Sequence, residues 1–191
     1  GLYLSLSQVK GWLPHQAMHV RFRQPLKTFK TRQTFVRHMG DQLQMDLVDM
    51  GKYAKEHQGY HWILTGIDVF SRYFFAIPLR NKHKDFTLVA VKRLLEQYKE
   101  RFDNVIQSDD GGEFKNTHVL PFLETKGIRH FSTRLTSHKA AFVERANQSL
   151  KTRMWLFFTL EGKKEWVGVL DDLVENINSS MNKSIGMAPS Q

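Results

Sequence analysis

Three apolar runs crowd into the stretch between Leu43 and Leu79, and they constrain the fold more than any other feature. LQMDLVDM (43–50), WILTGIDVF (62–70) and YFFAIPL (73–79) are short, the last two rich in β-branched and aromatic residues. The last two are joined tightly around Ser71-Arg72, so the three predict a meander, with a polar connection over 51–60. The period then changes. Leu88, Val91, Leu95, Tyr98 and Phe102 recur at steps of three and four, which predicts one apolar helical stripe over about 84–102. Asn104–Gln107 reads as a short strand entering the turn signal Ser108-Asp109-Asp110-Gly111-Gly112. Beyond it the pattern predicts a helix over 118–125 and a fifth strand over 128–132. A polar loop over 133–139 precedes a long helix over 140–160. A last helix is predicted over 164–181, before Pro189.

A meander followed by helix, strand, helix, strand and terminal helices predicts an α/β fold with a mixed five-stranded sheet and helices on both faces. By analogy this is the element order of the ribonuclease H-like fold. No run approaches the roughly 18 apolar residues of a membrane span, so no membrane partner is expected. The opening GLYLSLSQVKGW has no basic segment ahead of an apolar one, which argues against a signal peptide. With no cysteine, disulfides, thiolate catalysis and Cys-containing zinc sites are excluded, and a reducing compartment fits.

Charge divides the chain. Residues 1–40 carry seven basic side chains (Lys10, Arg21, Arg23, Lys27, Lys30, Arg32 and Arg37) and no acid. All 19 acidic residues follow, nearly balanced by the remaining bases, so most of the net +9 lies in the first fifth. We read 1–40 as a basic arm and 41–191 as the core. Such asymmetry suits a polyanion; a solvated arm is the plain alternative. Trp12, Leu13, Phe22, Leu26, Phe29 and Phe35 would anchor it, with a short helix near 4–12 and breaks at Pro14 and Pro25. His15 and His19 have the spacing of half a metal site but lack a second pair.

Three acids stand where strands end or a helix begins. Asp46 interrupts an apolar strand, where a carboxylate is costly unless paired. Asp109 sits where a strand opens into glycines, and Glu144 lies in the first turn of the long helix. If the strands bearing Asp46 and Asp109 are neighbours, the three can converge. Three hard oxygen ligands would suit Mg²⁺ or Mn²⁺, and two such ions can drive in-line displacement at phosphorus. Singly, each acid has a plainer role: Asp46 facing solvent, Asp109 and Asp110 shaping a turn, Glu144 favouring a helix N-terminus.

QMDLVDM, ILTGIDVFSRYFFAIPL, IQSDDGGEFKN and KAAFVERANQSLKTRMW, in that order, resemble a retroviral-type (DDE, rve) integrase catalytic core, over about 42–191. The positions matching the family's metal triad are Asp46, Asp109 and Glu144. Thirty-four residues separate the last two, one fewer than is typical of the family. NSSMNKSIGMAPS resembles the family's closing segment. QMDLVDM, KAAFVER, LKTRMW and the Trp-containing basic lead-in lean towards Polinton (Maverick) transposon integrases, with a retrotransposon integrase as the rival. The chain departs from the family at Asp110, Ala146, Ile177 and Asn182, none a metal ligand.

The resemblance implies a metal-dependent DNA integrase or transposase, with nuclease activity, that trims a DNA end and joins its 3′-hydroxyl to target DNA. It further implies two Mg²⁺ or Mn²⁺ ions, a homo-oligomer on paired DNA ends, and a nuclear location. Asn147 and Lys151 share a helix face with Glu144 and are expected to contact the DNA end. Gln148, Arg153 and the arm residues Arg21, Arg23, Lys27 and Lys30 are further expected DNA contacts. Arg145 is expected to pair structurally, Glu113 to assist near the metals, and Asp49 and Asp68 to be structural. The alternatives are a ribonuclease H-like nuclease and a host-adopted, non-catalytic DNA-binding protein that keeps the fold.

Overall fold

The computed structural model describes residues 5–12, 34–56, 59–98, 104–109, 111–132 and 140–191. The chain divides into two units, Gly1–Gln33 and Thr34–Gln191. In the first, α1 (Leu6–Trp12) begins with a reciprocal capping box: Ser5 N donates to Gln8 Oε1 at 2.8 Å, and Gln8 N donates to Ser5 Oγ at 3.3 Å. The arm cations Arg21, Arg23, Lys27 and Lys30, and the pair His15 and His19, lie outside the described residues.

The second unit is built on strands β1 (Gln42–Asp49), β2 (Trp62–Asp68), β3 (Phe74–Leu79), β4 (Val105–Ser108) and β5 (Arg129–Ser132). They form one sheet in the order β3-β2-β1-β4-β5. The meander is antiparallel, whereas β4 and β5 join parallel to β1. This is the mixed sheet expected of a ribonuclease H-like fold. Helices α2 (Lys84–Gln97), α3 (Val119–Thr125), α4 (Ala141–Glu161) and α5 (Leu170–Ser179) complete it. A 3-10 turn over Gly51–Glu56 occupies the predicted polar connection. Among the described residues, no helix is long and apolar enough to cross a membrane.

Because strand side chains alternate, β1 serves two cores. Leu43 and Met45 pack with Leu64, Val91, Leu94 and Leu123 on the α2–α3 side. Val48 packs with Ile63, Val143, Leu150 and Met154 on the α4–α5 side. Gln42, Gln44 and Asp46 share the parity of Val48, so β1 presents a polar row towards α4. Gly66 permits close packing on the other side, where a Cβ would stand 2.9 Å from Leu94 Cδ1.

The last helix starts later than its periodicity suggests. Gly162 ends α4 in the left-handed region, at φ 64°, and residues 163–166 run without regular structure until Trp166 is buried in the core. That anchor fixes the segment outside a helix, and α5 begins only at Leu170. Asn178 then faces the edge strand. Its Oδ1 accepts from Phe74 N and its Nδ2 donates to Phe74 O, both at 2.8 Å.

Asp68 is fully buried and structural. It accepts from Gly40 N at 3.1 Å, Ser71 N at 2.8 Å and Ser71 Oγ at 2.6 Å. These bonds fold the β2–β3 turn, where Arg72 takes φ 64° and lays its guanidinium 3.9 Å from the Phe142 ring centroid. The sequence reading of Asp68 as a structural acid agrees with this geometry.

Candidate active site

Asp46 occupies the middle strand, paired with Thr65 of β2. Thr65 Oγ1 donates to the Asp46 carbonyl at 3.2 Å. On the other side of β1 the parallel register sets Met45 against Ser108, so Asp46 and Asp109 are the next residues on adjoining strands. Asp109 is exposed, and its Oδ1 accepts from Gly111 N at 3.3 Å. The turn is tied down behind it by buried Phe114, whose N–H donates to Gly111 O, and by Asn116. Asn116 Oδ1 accepts from His118 N and Val119 N at the start of α3, both at 2.8 Å. Asp110 lies outside the described residues, as does the loop 133–139.

Glu144 lies in the first turn of α4, exposed. The helix buries Val143, Ala146, Asn147, Leu150, Met154 and Phe158, a stripe with one polar member. Asn147 is only 5% exposed and donates Nδ2 to Asp46 Oδ2 at 2.8 Å. The other Asp46 oxygen accepts from Leu47 N at 2.8 Å. Burial is the first cause that pushes the Asp46 carboxyl above the usual carboxylate range. The negative charges of Asp109 and Glu144 add to it, while the bonds from Leu47 and Asn147 oppose it. Both other expected acids therefore lie close enough for their charges to act on Asp46.

Those carboxylates are hard oxygen donors with no His or Cys among them, and the repulsion felt by Asp46 is what a divalent cation would relieve. Among the described residues, however, no group of three Asp, Glu or His side chains is arranged to hold a metal ion. The triad is electrostatically coupled but not closed into a ligand set. Asp109 and Glu144 are both exposed.

The remaining expected contacts separate. Gln148 and Lys151 are exposed, about one and two turns beyond Glu144 on its face of the helix. Asn147 is committed to Asp46. Arg153 lies nine residues on, about two and a half turns and so on the opposite face. There its Nε donates to Asn176 Oδ1 at 2.8 Å and its Nη2 to Ser180 Oγ at 3.3 Å, joining α4 to α5 and its end. Arg145 is exposed, and its charge acts on Arg72. The Glu113 carboxylate folds back over Gly111, where a Cβ would meet it at 2.6 Å. The sequence reading missed Gln44, whose buried amide accepts from the first turn of α4. A polar alternation through the centre of a sheet, QLQMD, was its signal.

Residues 36–138, more than half of the chain, match the integrase core domain. The chain belongs to the integrase core domain family. The match takes in Asp46 and Asp109 and ends before Glu144, whose place near them comes from the fold. An uncharacterized transposon-derived protein of Caenorhabditis elegans is 35% identical over 140 residues, covering 73% of this chain and 48% of that protein. The Pol polyprotein of feline endogenous virus ECE1 is 26% identical over 147 residues, 74% of this chain and 14% of that protein. The chain thus spans about half the length, or less, of these curated relatives.

The fold is shared with solved integrases. The HTLV-2 integrase catalytic core, determined with magnesium in a trimeric form, superposes with a TM-score of 0.65 at 15% identity, over 80% of this chain and 95% of that one. A chain of the simian T-cell lymphotropic virus intasome, in complex with the PP2A regulatory subunit B56 gamma, gives 0.71 at 14% identity, over 98% of this chain and 66% of that one. The BIV integrase core gives 0.63 at 17% identity, over 79% and 91%.

Proposed function

We propose that this integrase-family core is a metal-dependent polynucleotidyl transferase that trims DNA ends and joins them to target DNA. The observation that carries this reading is that Asp109 and Glu144, from two other elements, lie close enough to Asp46 for their charges to act on it. Asp46, Asp109 and Glu144 would hold Mg²⁺ or Mn²⁺. Two ions bound there would activate the attacking oxygen and neutralise the leaving one. Asn147 keeps Asp46 oriented. Gln148 and Lys151 would receive the DNA end along the exposed face of α4, by contact with its phosphates. Water first attacks a phosphodiester and frees a 3′-hydroxyl; that hydroxyl then attacks a target phosphodiester and displaces the target's own 3′-oxygen.

The sequence lean towards Polinton (Maverick) integrases makes a mobile DNA element the proposed source, and the nucleus the proposed site of action. A homo-oligomer bridging two DNA ends, with the basic arm on DNA, is part of the same reading. The purified chain, given a plasmid and a pool of randomised blunt duplex ends in Mg²⁺ or Mn²⁺, should yield joints detectable by sequencing. Asp46→Asn should yield none. Cleavage of an RNA–DNA hybrid without joining would make it a nuclease instead. DNA binding with neither reaction would make it a binding protein that retains the fold.

A further inference from the structure

Among the described residues, no N-cap side chain closes the start of α4. Its N-cap residue is Ala140, which has no side-chain acceptor, yet the first turn of any helix has N–H groups without intrahelical partners. Two of them are satisfied from the sheet. Gln44 Oε1 accepts from Phe142 N at 2.9 Å and from Val143 N at 3.2 Å. Backbone N–H groups can only donate, so the amide orientation of Gln44 is fixed, and its Nε2 must point the other way. There it donates to Gln107 Oε1 at 3.0 Å, which also accepts from Gln42 Nε2 at 2.6 Å. Gln44 is 2% exposed, where unbonded polar atoms would be costly.

Two residues further along the same face of β1, Asp46 receives Asn147. The strand and helix are therefore cross-braced at two points, Gln44 to 142–143 and Asp46 to 147, and Glu144 lies between them. We propose that Gln44 is the positioning residue that sets α4 against β1 and so holds Glu144 opposite Asp46, through one buried oxygen that receives the N–H groups of Phe142 and Val143. The proposal rests on the catalytic reading above for its consequence, but not for its geometry.

Gln44→Met keeps the volume and removes the acceptor. In the full chain, amide hydrogen exchange at Phe142 and Val143 should speed up roughly tenfold, the effect of one to two ordinary hydrogen bonds. Sheet amides such as those of Leu64 and Ile106 should keep their protection. Mn²⁺ affinity, read without DNA by the paramagnetic signal of free Mn²⁺, should fall by a similar factor. Gln44→Glu restores an acceptor, with a charge that suits a helix N-terminus, and should restore protection at both amides. Unchanged exchange at Phe142 and Val143 in Gln44→Met would overturn the proposal. If that variant does not fold, the wild-type chain decides: exchange at Phe142 and Val143 as fast as at exposed amides overturns it, and protection comparable to that of Leu64 upholds it. A wild-type chain that binds no Mn²⁺ would sink the catalytic reading while the exchange data still judged the brace.

Discussion

Asn147 gives its side-chain amide to Asp46 across 2.8 Å, and among the buried residues of α4 it alone is polar. A polar group at that position in an apolar stripe costs stability unless bonded, so its service is to the carboxylate. Asn147→Leu would leave Asp46 held by the Leu47 N–H alone and less able to stay ionised. Groups that orient a metal ligand are typically worth about 10–100-fold in metal affinity or activity. We expect a loss of that size in DNA joining, with Mg²⁺ titration curves displaced to higher concentration. Unaltered curves would show that Asp46 needs no such support.

Replacing a ligand is harsher than loosening one. Asp46→Asn or Asp109→Asn should abolish both end trimming and joining, because the cations lose their seat. DNA affinity should stay nearly unchanged, since on the proposed reading it would rest on Lys and Arg contacts with phosphate. Gel-shift and joining assays on the same preparations separate the two effects; normal joining in either variant contradicts the assignment.

The fold was legible in the sequence wherever apolar residues ran together or recurred at a helical period. The strands around Met45, Leu64 and Ile77 and the stripe Val143–Leu150–Met154 could be read directly. The site was half legible. The charges of Asp109 and Glu144 act on Asp46, but that Asn147 is buried and bonded to Asp46 could not be read, because helix spacing cannot tell a buried face from an exposed one. Nor could spacing show that Arg153 bonds to Asn176 across to α5. Gln44 was missed because its partners are about a hundred positions away. The late start of α5 was hidden because Trp166 fits a helical period as well as it fits the core.

Asp46 also gives the metal-free protein a pH signature. Its carboxyl lies above its ordinary value of 3.8, so the folded state binds its proton more tightly than the unfolded state. The associated stabilisation is complete below that unfolded value and is lost as pH rises through the folded one. At pH 7 in EDTA, the buried charge therefore opposes folding. Asp46→Asn should melt higher than the wild-type chain there, with the difference closing towards pH 4. A constant offset from pH 4 to pH 8 would assign the effect to something other than ionisation.

Asp68 offers a stability test remote from the chemistry. Asp68→Ala strands the Gly40 and Ser71 N–H donors in the interior, at roughly 1–3 kcal/mol for each unsatisfied group. Urea unfolding should register a loss on the order of 3 kcal/mol. A loss under about 0.5 kcal/mol, the range of an ordinary surface substitution, would show that these bonds hold nothing.

For the basic arm, charge-neutralising substitutions are more telling than deletion because they spare its aromatic residues. Changing Arg21, Arg23, Lys27 and Lys30 to Gln should weaken duplex binding. The log–log salt slope should fall by about 0.9 for each phosphate contact removed. An identical slope and affinity would remove the arm from the DNA-binding surface.

The Asn178 amide meets both backbone groups of Phe74 on β3, at the rim of the sheet. An open rim is a template on which another chain can add a strand and start a ladder that has no natural end. With Phe74 already satisfied from within, an incoming strand would find its hydrogen-bonding row interrupted at that point. Copies of this chain brought side by side would therefore be less prone to fuse along β3 into an aggregate.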